Sequence, residues 1–135
     1  MKEYREGGNE KLMKRPVCVD NINAKRHIED SFKSFMSKYF SRGPGVVKGY
    51  IMEDVVLVYC EDFLTTLEKN LAKDEIGQCY VQIIRKKISD EYGDFLVDMI
   101  ETSVGRDVKT FYLDCNVANN SLCCVFMLNE ATEVC

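Results

Sequence analysis

Arg42 stands between Ser41 and the run Gly43-Pro44-Gly45, a guanidinium placed beside a stretch of backbone that two glycines and a proline can free from helical geometry. Amides turned outward next to such a side chain can hold a carboxylate, a bicarbonate or a phosphate through paired hydrogen bonds. Glu68 can pair with Arg42 or with Arg85, joining separate pieces of the chain, so Arg42, Gly43, Gly45, Glu68 and Arg85 make up the candidate anion site. Each of these residues also has a local reading. Arg42 can belong to a helix stop, capping carbonyls or pairing with an acidic neighbour. Glu68 closes the run Thr65-Thr66-Leu67-Glu68, which has the spacing of a capping box. Arg85-Lys86-Lys87 can be a solvated helix face.

Bond-making chemistry has little to draw on. The seven cysteines are an odd number scattered through the chain, without a CxxC pair, and His27 is the single histidine. Structural zinc spacing is absent. Cys115, Cys123 and Cys124 are weak candidates for a metal or redox site, because two strands of a hairpin can bring thiols together. The simpler reading is that the cysteines are small apolar residues in a reducing compartment. No serine has a recognisable histidine partner. Neither a cofactor nor enzymatic activity is therefore expected.

The chain has 135 residues, 46% hydrophobic and 30% charged, which fits one globular domain. A net charge of −4 argues against a general nucleic-acid binder, whose affinity for phosphates needs a concentrated basic surface. No apolar run approaches the roughly 20 residues of a spanning helix, and the start of the chain is polar, so a cytoplasmic protein without membrane insertion is expected.

The elements that must position these residues follow from periodicity. Residues 1–19 carry Gly7, Gly8, Pro16 and many charges without a period, and read as a flexible leader. From Asp20 or Asn21, either of which can cap a helix, Ile28, Phe32, Phe35, Met36 and Tyr39 recur at helical spacing to about Phe40. Val46 to Met52 and Val55 to Cys60 read as a hairpin turning at Glu53-Asp54, its second strand apolar on both faces. The capping box starts a short helix to about Lys73, and Asp74 to Gly77 reads as a joint. Tyr80, Ile84, Ile88, Tyr92, Phe95, Leu96, Met99 and Ile100 then predict one long helix ending at Gly105, with Gly93 marking a kink or a close contact.

Val108 to Cys115 and Leu122 to Leu128 predict a second hairpin around Asn119-Asn120, and residues 131–135 are left as a tail. The fold class is α+β: two helix-plus-hairpin units forming a four-stranded antiparallel sheet with the helices on one face, in a single domain over residues 20–130. The apolar surplus on the long helix and on the other sheet face predicts a homodimer.

In this order the motifs resemble the MpsC-like family, small bacterial proteins named for a sodium-translocating, membrane-potential-generating system. The resemblance spans about Ile22 to Leu128. It is carried by Arg42-Gly43-Pro44 with Val47, by Leu64-Thr65 with Glu68-Lys69-Asn70-Leu71-Ala72, and by Arg85, Gly105, Asp114 and Val125-Phe126-Met127-Leu128. The chain departs from the family pattern at Ser41, Asp62 and Thr66, where glycine, glycine and proline are expected. The resemblance implies a cytosolic protein linked with cation or inorganic-carbon transport, without an assigned enzyme chemistry. Two main readings stand side by side: a non-enzymatic, homodimeric regulatory or accessory protein with a protein partner in a membrane transport system, and a small-anion or nucleotide sensor centred on Arg42. A thiol-based metal or redox protein is the distant third.

Overall fold

The computed structural model describes residues 21–130; the leader, the tail, Pro16, Cys18, the Asp20 cap and Cys135 lie outside the described residues. Helix α1 (Asn21–Phe40) buries Ala24, Ile28, Phe32, Phe35 and Met36, the three- and four-residue spacing that lines one helical face. Strands β1 (Val46–Met52) and β2 (Val55–Glu61) form the first hairpin. A short helix α2 (Thr66–Leu71) and the long α3 (Glu75–Val104) follow, then β3 (Val108–Asn116) and β4 (Ser121–Leu128). The strands lie in the order β1-β2-β4-β3, all antiparallel, so the two hairpins join through their inner strands.

Alternation decides the two faces of this sheet. Val56, Val58 and Cys60 on β2 and Leu122, Cys124, Phe126 and Leu128 on β4 are buried under the helices. Phe126 packs its ring against Phe32 of α1 at 6.4 Å and against Phe111 of β3 at 4.8 Å, tying both units into one core. No described element covers the opposite face. There Tyr50, Met52 and Tyr112 are exposed, and Leu57, Val125 and Met127 are half-buried.

The reading of Asp74 to Gly77 as a joint needs correction. Asp74 is the N-cap of α3, accepting the Gly77 N–H at 2.7 Å, and the helix begins at Glu75 and runs for 30 residues, about 45 Å. Gly77 lies inside the first turn because the preceding chain presses on it: a Cβ there would fall 1.5 Å from the Leu71 carbonyl oxygen. The glycine serves close approach rather than helix breaking. The short helix also stops at Leu71, two residues earlier than expected. Gly105 closes α3 at φ 73°, the left-handed cap its position suggested.

Candidate functional site

Residues 62–65, between β2 and α2, are the point on which the charged motifs converge. Arg42 Nη1 donates to the carbonyls of Asp62 (2.6 Å) and Leu64 (3.2 Å), and its Nη2 pairs with the Asp62 carboxylate at 2.9 Å. Arg85 Nη2 donates to the Phe63 carbonyl at 3.3 Å. On the amide side, Asn120 accepts from Asp62 through its backbone oxygen (2.9 Å) and from Phe63 and Leu64 through Oδ1 (2.9 and 3.0 Å). Thr65 N–H goes to Glu68 Oε1 at 2.9 Å. Two arginines, an asparagine and a glutamate thus satisfy nearly every polar group of an irregular segment that the core could not otherwise hold.

The candidate anion residues therefore separate into two clusters rather than one. Arg42 pairs with Asp62, whereas Glu68 pairs with Arg85. The Gly45 amide donates to the Glu61 and Asp62 carbonyls, both at 3.0 Å, instead of pointing outward. Space is tight close by: a Cβ at Gly45 would lie 2.8 Å from Asp62 Oδ2, and one at Gly43 2.9 Å from Ser37 Oγ, so either side chain would have to move aside. Lys69 approaches Asp62 from the other side at 3.7 Å. The hydrogen bond from Arg42 holds the Asp62 carboxyl below its ordinary value.

Glu68 and Arg85 are the two buried charged residues among those described, 7% and 2% exposed. Arg85 donates Nε to Glu68 Oε2 (2.8 Å) and Nη2 to Oε1 (2.6 Å), a bidentate pair. Its guanidinium carbon lies 3.9 Å from the Phe40 ring centroid and 4.7 Å from that of Phe63, so the cation is held between two aromatic faces. Burial pushes the Glu68 carboxyl up, but the hydrogen bonds from Arg85 and the Thr65 amide outweigh it and hold the group below its usual value. Glu68 also completes the capping box with Thr65, so its local and long-range readings hold together.

The thiols diverge. Cys115 and Cys124 lie under the helices, whereas Cys123 lies on the uncovered face. Burial raises all three, Cys124 well above the ordinary value, and it pushes Cys60 up to about 12, the direction opposite to that of a reactive thiolate. Among the described residues no three His, Cys, Asp or Glu side chains are grouped to hold a metal. His27 is exposed, its Nδ1 2.6 Å from Ser103 Oγ.

A cleft of about 450 Å³ opens elsewhere, at the β3–β4 end, between Tyr59, Gln78, Gln82, Asp114, Asn116 and Cys123, and none of the five candidate residues lines it. Sequence reasoning missed Asn120 as a clamp, reading it only as a turn former. The available signal was the residue type: asparagine is among the few side chains that adopt left-handed backbone, which Asn120 does at φ 57°. It also missed Arg106, which donates to the Glu53 carbonyl (2.8 Å), the Asp54 carboxylate (2.7 Å) and the Asn129 carbonyl, anchoring the first hairpin's turn to the end of β4.

The family model described as Na+-translocating membrane potential-generating system (MpsC) matches residues 22–130. The chain belongs to the MpsC family. No curated protein and no solved structure matches it. Its departures from the MpsC pattern now have a geometry. Ser41 and Asp62, standing where glycine is expected, both take left-handed backbone, at φ 66° and 58°. Thr66, standing where proline is expected, is the first helical residue after the Thr65 N-cap, the position that proline favours because its missing N–H would have no helical partner. Of the residues that carry the resemblance, Leu64 and Thr65 lie in the clamped loop and Arg42, Glu68 and Arg85 bond to it.

Proposed function

We propose that this chain is a non-enzymatic accessory protein that acts as a homodimer on the cytoplasmic side of a sodium-translocating, membrane-potential-generating system. The observation that carries the reading is the use of the family's charged motif: Arg42 and Arg85 donate to carbonyls of the 62–65 loop, and Glu68 accepts from the Thr65 amide and from Arg85. An anion reaching Arg42 competes with the Asp62 carboxylate already 2.9 Å away, which favours a structural clamp over the metabolite-sensor reading. The family description supplies the transport context. Among the described residues no helix is long and apolar enough to cross a membrane, and in this reading the link to such a system is a protein surface. The uncovered sheet face and the apolar residues Ile76, Tyr80 and Ile83 on α3 are the surfaces available for it.

The reading is tested in inverted membrane vesicles that contain the sodium-translocating system and lack this chain. Adding the purified protein changes the rate at which sodium builds a membrane potential, read with a voltage-sensitive dye. Protein-free vesicles leave the chain unbound. An unchanged rate, together with no association with the system's subunits, overturns the proposal.

A further inference from the structure

The uncovered sheet face has an order that a random apolar patch lacks. Strand register aligns its side chains in rows across β1, β2, β4 and β3. One row reads Tyr50, Leu57, Val125, Tyr112: aromatic, aliphatic, aliphatic, aromatic. The next, two residues along, reads Lys48, Tyr59, Cys123, Asp114, with opposite charges on the two outer strands. On the other side, Met52, Val55, Met127 and Thr110 form a third row. Tyr50, Met52 and Tyr112 are 43%, 48% and 62% exposed, and with Leu57, Val125 and Met127 between them they form one contiguous patch, the kind of surface that marks an interface.

From this pattern we infer that two copies of the chain stack through their uncovered sheet faces about a two-fold axis parallel to the strands, placing Lys48 of each copy over Asp114 of the other. The inference rests on the homodimer reading above and specifies its interface. A two-fold axis along the strands exchanges β1 with β3 and β2 with β4, so every row meets its own reversed copy. Tyr50 then covers Tyr112, Leu57 covers Val125, and the Lys48–Asp114 pair forms twice. An axis across the strands lays the Lys48–Asp114 row on the Met52–Met127 row instead and leaves those charges without partners. Charge complementarity thus selects one packing.

The sheet edges are less available than the face. On the β1 edge the Gly49 N–H is taken by Glu29 Oε2 at 2.8 Å, and β3 carries an irregularity between Val108 and Thr110. Four strands about 4.8 Å apart and seven residues of about 3.4 Å each give the face roughly 450 Å² in plan. Two copies bury about 900 Å², in the range of weak, reversible associations below the ~1,200 Å² of standard interfaces, so a dimer that dissociates on dilution is expected.

Sedimentation equilibrium over low to high micromolar concentrations tests this on the full chain, with circular dichroism verifying that each variant is folded. The unaltered protein dimerises. Lys48→Asp and Asp114→Lys each weaken the dimer at least tenfold, because each substitution acts at two contacts, and the double swap returns the dissociation constant to within about threefold. Tyr112→Asp abolishes the dimer, whereas Ile83→Asp on α3 leaves it intact. A dimer unaffected by the charge swaps and by Tyr112→Asp overturns this interface while the dimer itself stands. Loss of the dimer on Ile83→Asp moves the contact to α3 and also overturns it. A monomer at every concentration removes both the interface and the homodimer reading.

Discussion

Arg85 is the side chain whose environment most constrains the molecule. An arginine buried between Phe40 and Phe63 is tolerable because Glu68 neutralises it and the Phe63 carbonyl accepts one of its hydrogen bonds. Breaking such a pair leaves an uncompensated buried charge. Arg85→Met and Glu68→Gln are each expected to cost about 3–5 kcal/mol in urea unfolding, and the Arg85→Met/Glu68→Leu double variant well under the sum, since two apolar groups leave no charge behind. Glu68 also makes this pair sensitive to pH. Its folded carboxyl titrates below the ordinary value of 4.5, so the stabilisation is full above that value and is lost as pH falls through the folded pKa. The melting-temperature gap between the native protein and Glu68→Gln should therefore narrow on acidification, and a gap constant down to pH 3 counts against the pairing. Sequence spacing made the capping box legible, because N-cap and N3 are three residues apart. Which arginine Glu68 would meet was not legible, because 17 residues and a helix packing angle separate it from Arg85.

At the scale of elements, periodicity located both hairpins and both amphipathic helices, because each buries one regular face. It failed where backbone proximity, not burial, sets the residue. Gly77, read in sequence as the end of a joint, and Gly93, read as a kink or close contact, both lie inside α3, yet their surroundings predict opposite responses to alanine. At Gly93 an added Cβ meets only the Phe111 ring, at an ordinary 3.7 Å, so Gly93→Ala should stabilise α3 by up to about 1 kcal/mol through helix propensity. At Gly77 the same atom collides with the Leu71 carbonyl oxygen, and Gly77→Ala should destabilise by about 3 kcal/mol or more, or prevent folding. Equal thermal shifts for the two variants would contradict this account of the α2–α3 elbow. Thr66→Pro supplies a third measurement on the same elbow. Thr65 already has the extended backbone, φ −74° and ψ 169°, that a following proline requires, so this change should raise the melting temperature by the equivalent of about 0.4–1 kcal/mol.

At the scale of the whole molecule, the strand order β1-β2-β4-β3 decides how the two helix-plus-hairpin units relate. The sequence displays two similar successions of elements, which on their own suit either two independent units or one shared core. Choosing between them depends on the β2–β4 pairing, a contact between strands some 65 residues apart that no local pattern records. Once made, it places Cys60 of the first unit and Cys124 of the second in the same buried layer, both fully inaccessible, while Asn120 of the second hairpin holds the loop that follows the first. Cooperative unfolding follows, since neither unit can open without exposing the other's core. The two thiols report on it directly, because burial keeps both protonated and unreactive until the sheet parts. In a urea titration with pulse alkylation and peptide mapping, Cys79 on the outer surface of α3 should label in the native protein. Cys60 and Cys124 should become reactive together, at the midpoint seen by far-ultraviolet circular dichroism. Release of Cys60 at lower urea than Cys124 would mean that the first unit opens alone, and the inner-strand pairing would not be the element that makes the two units one molecule.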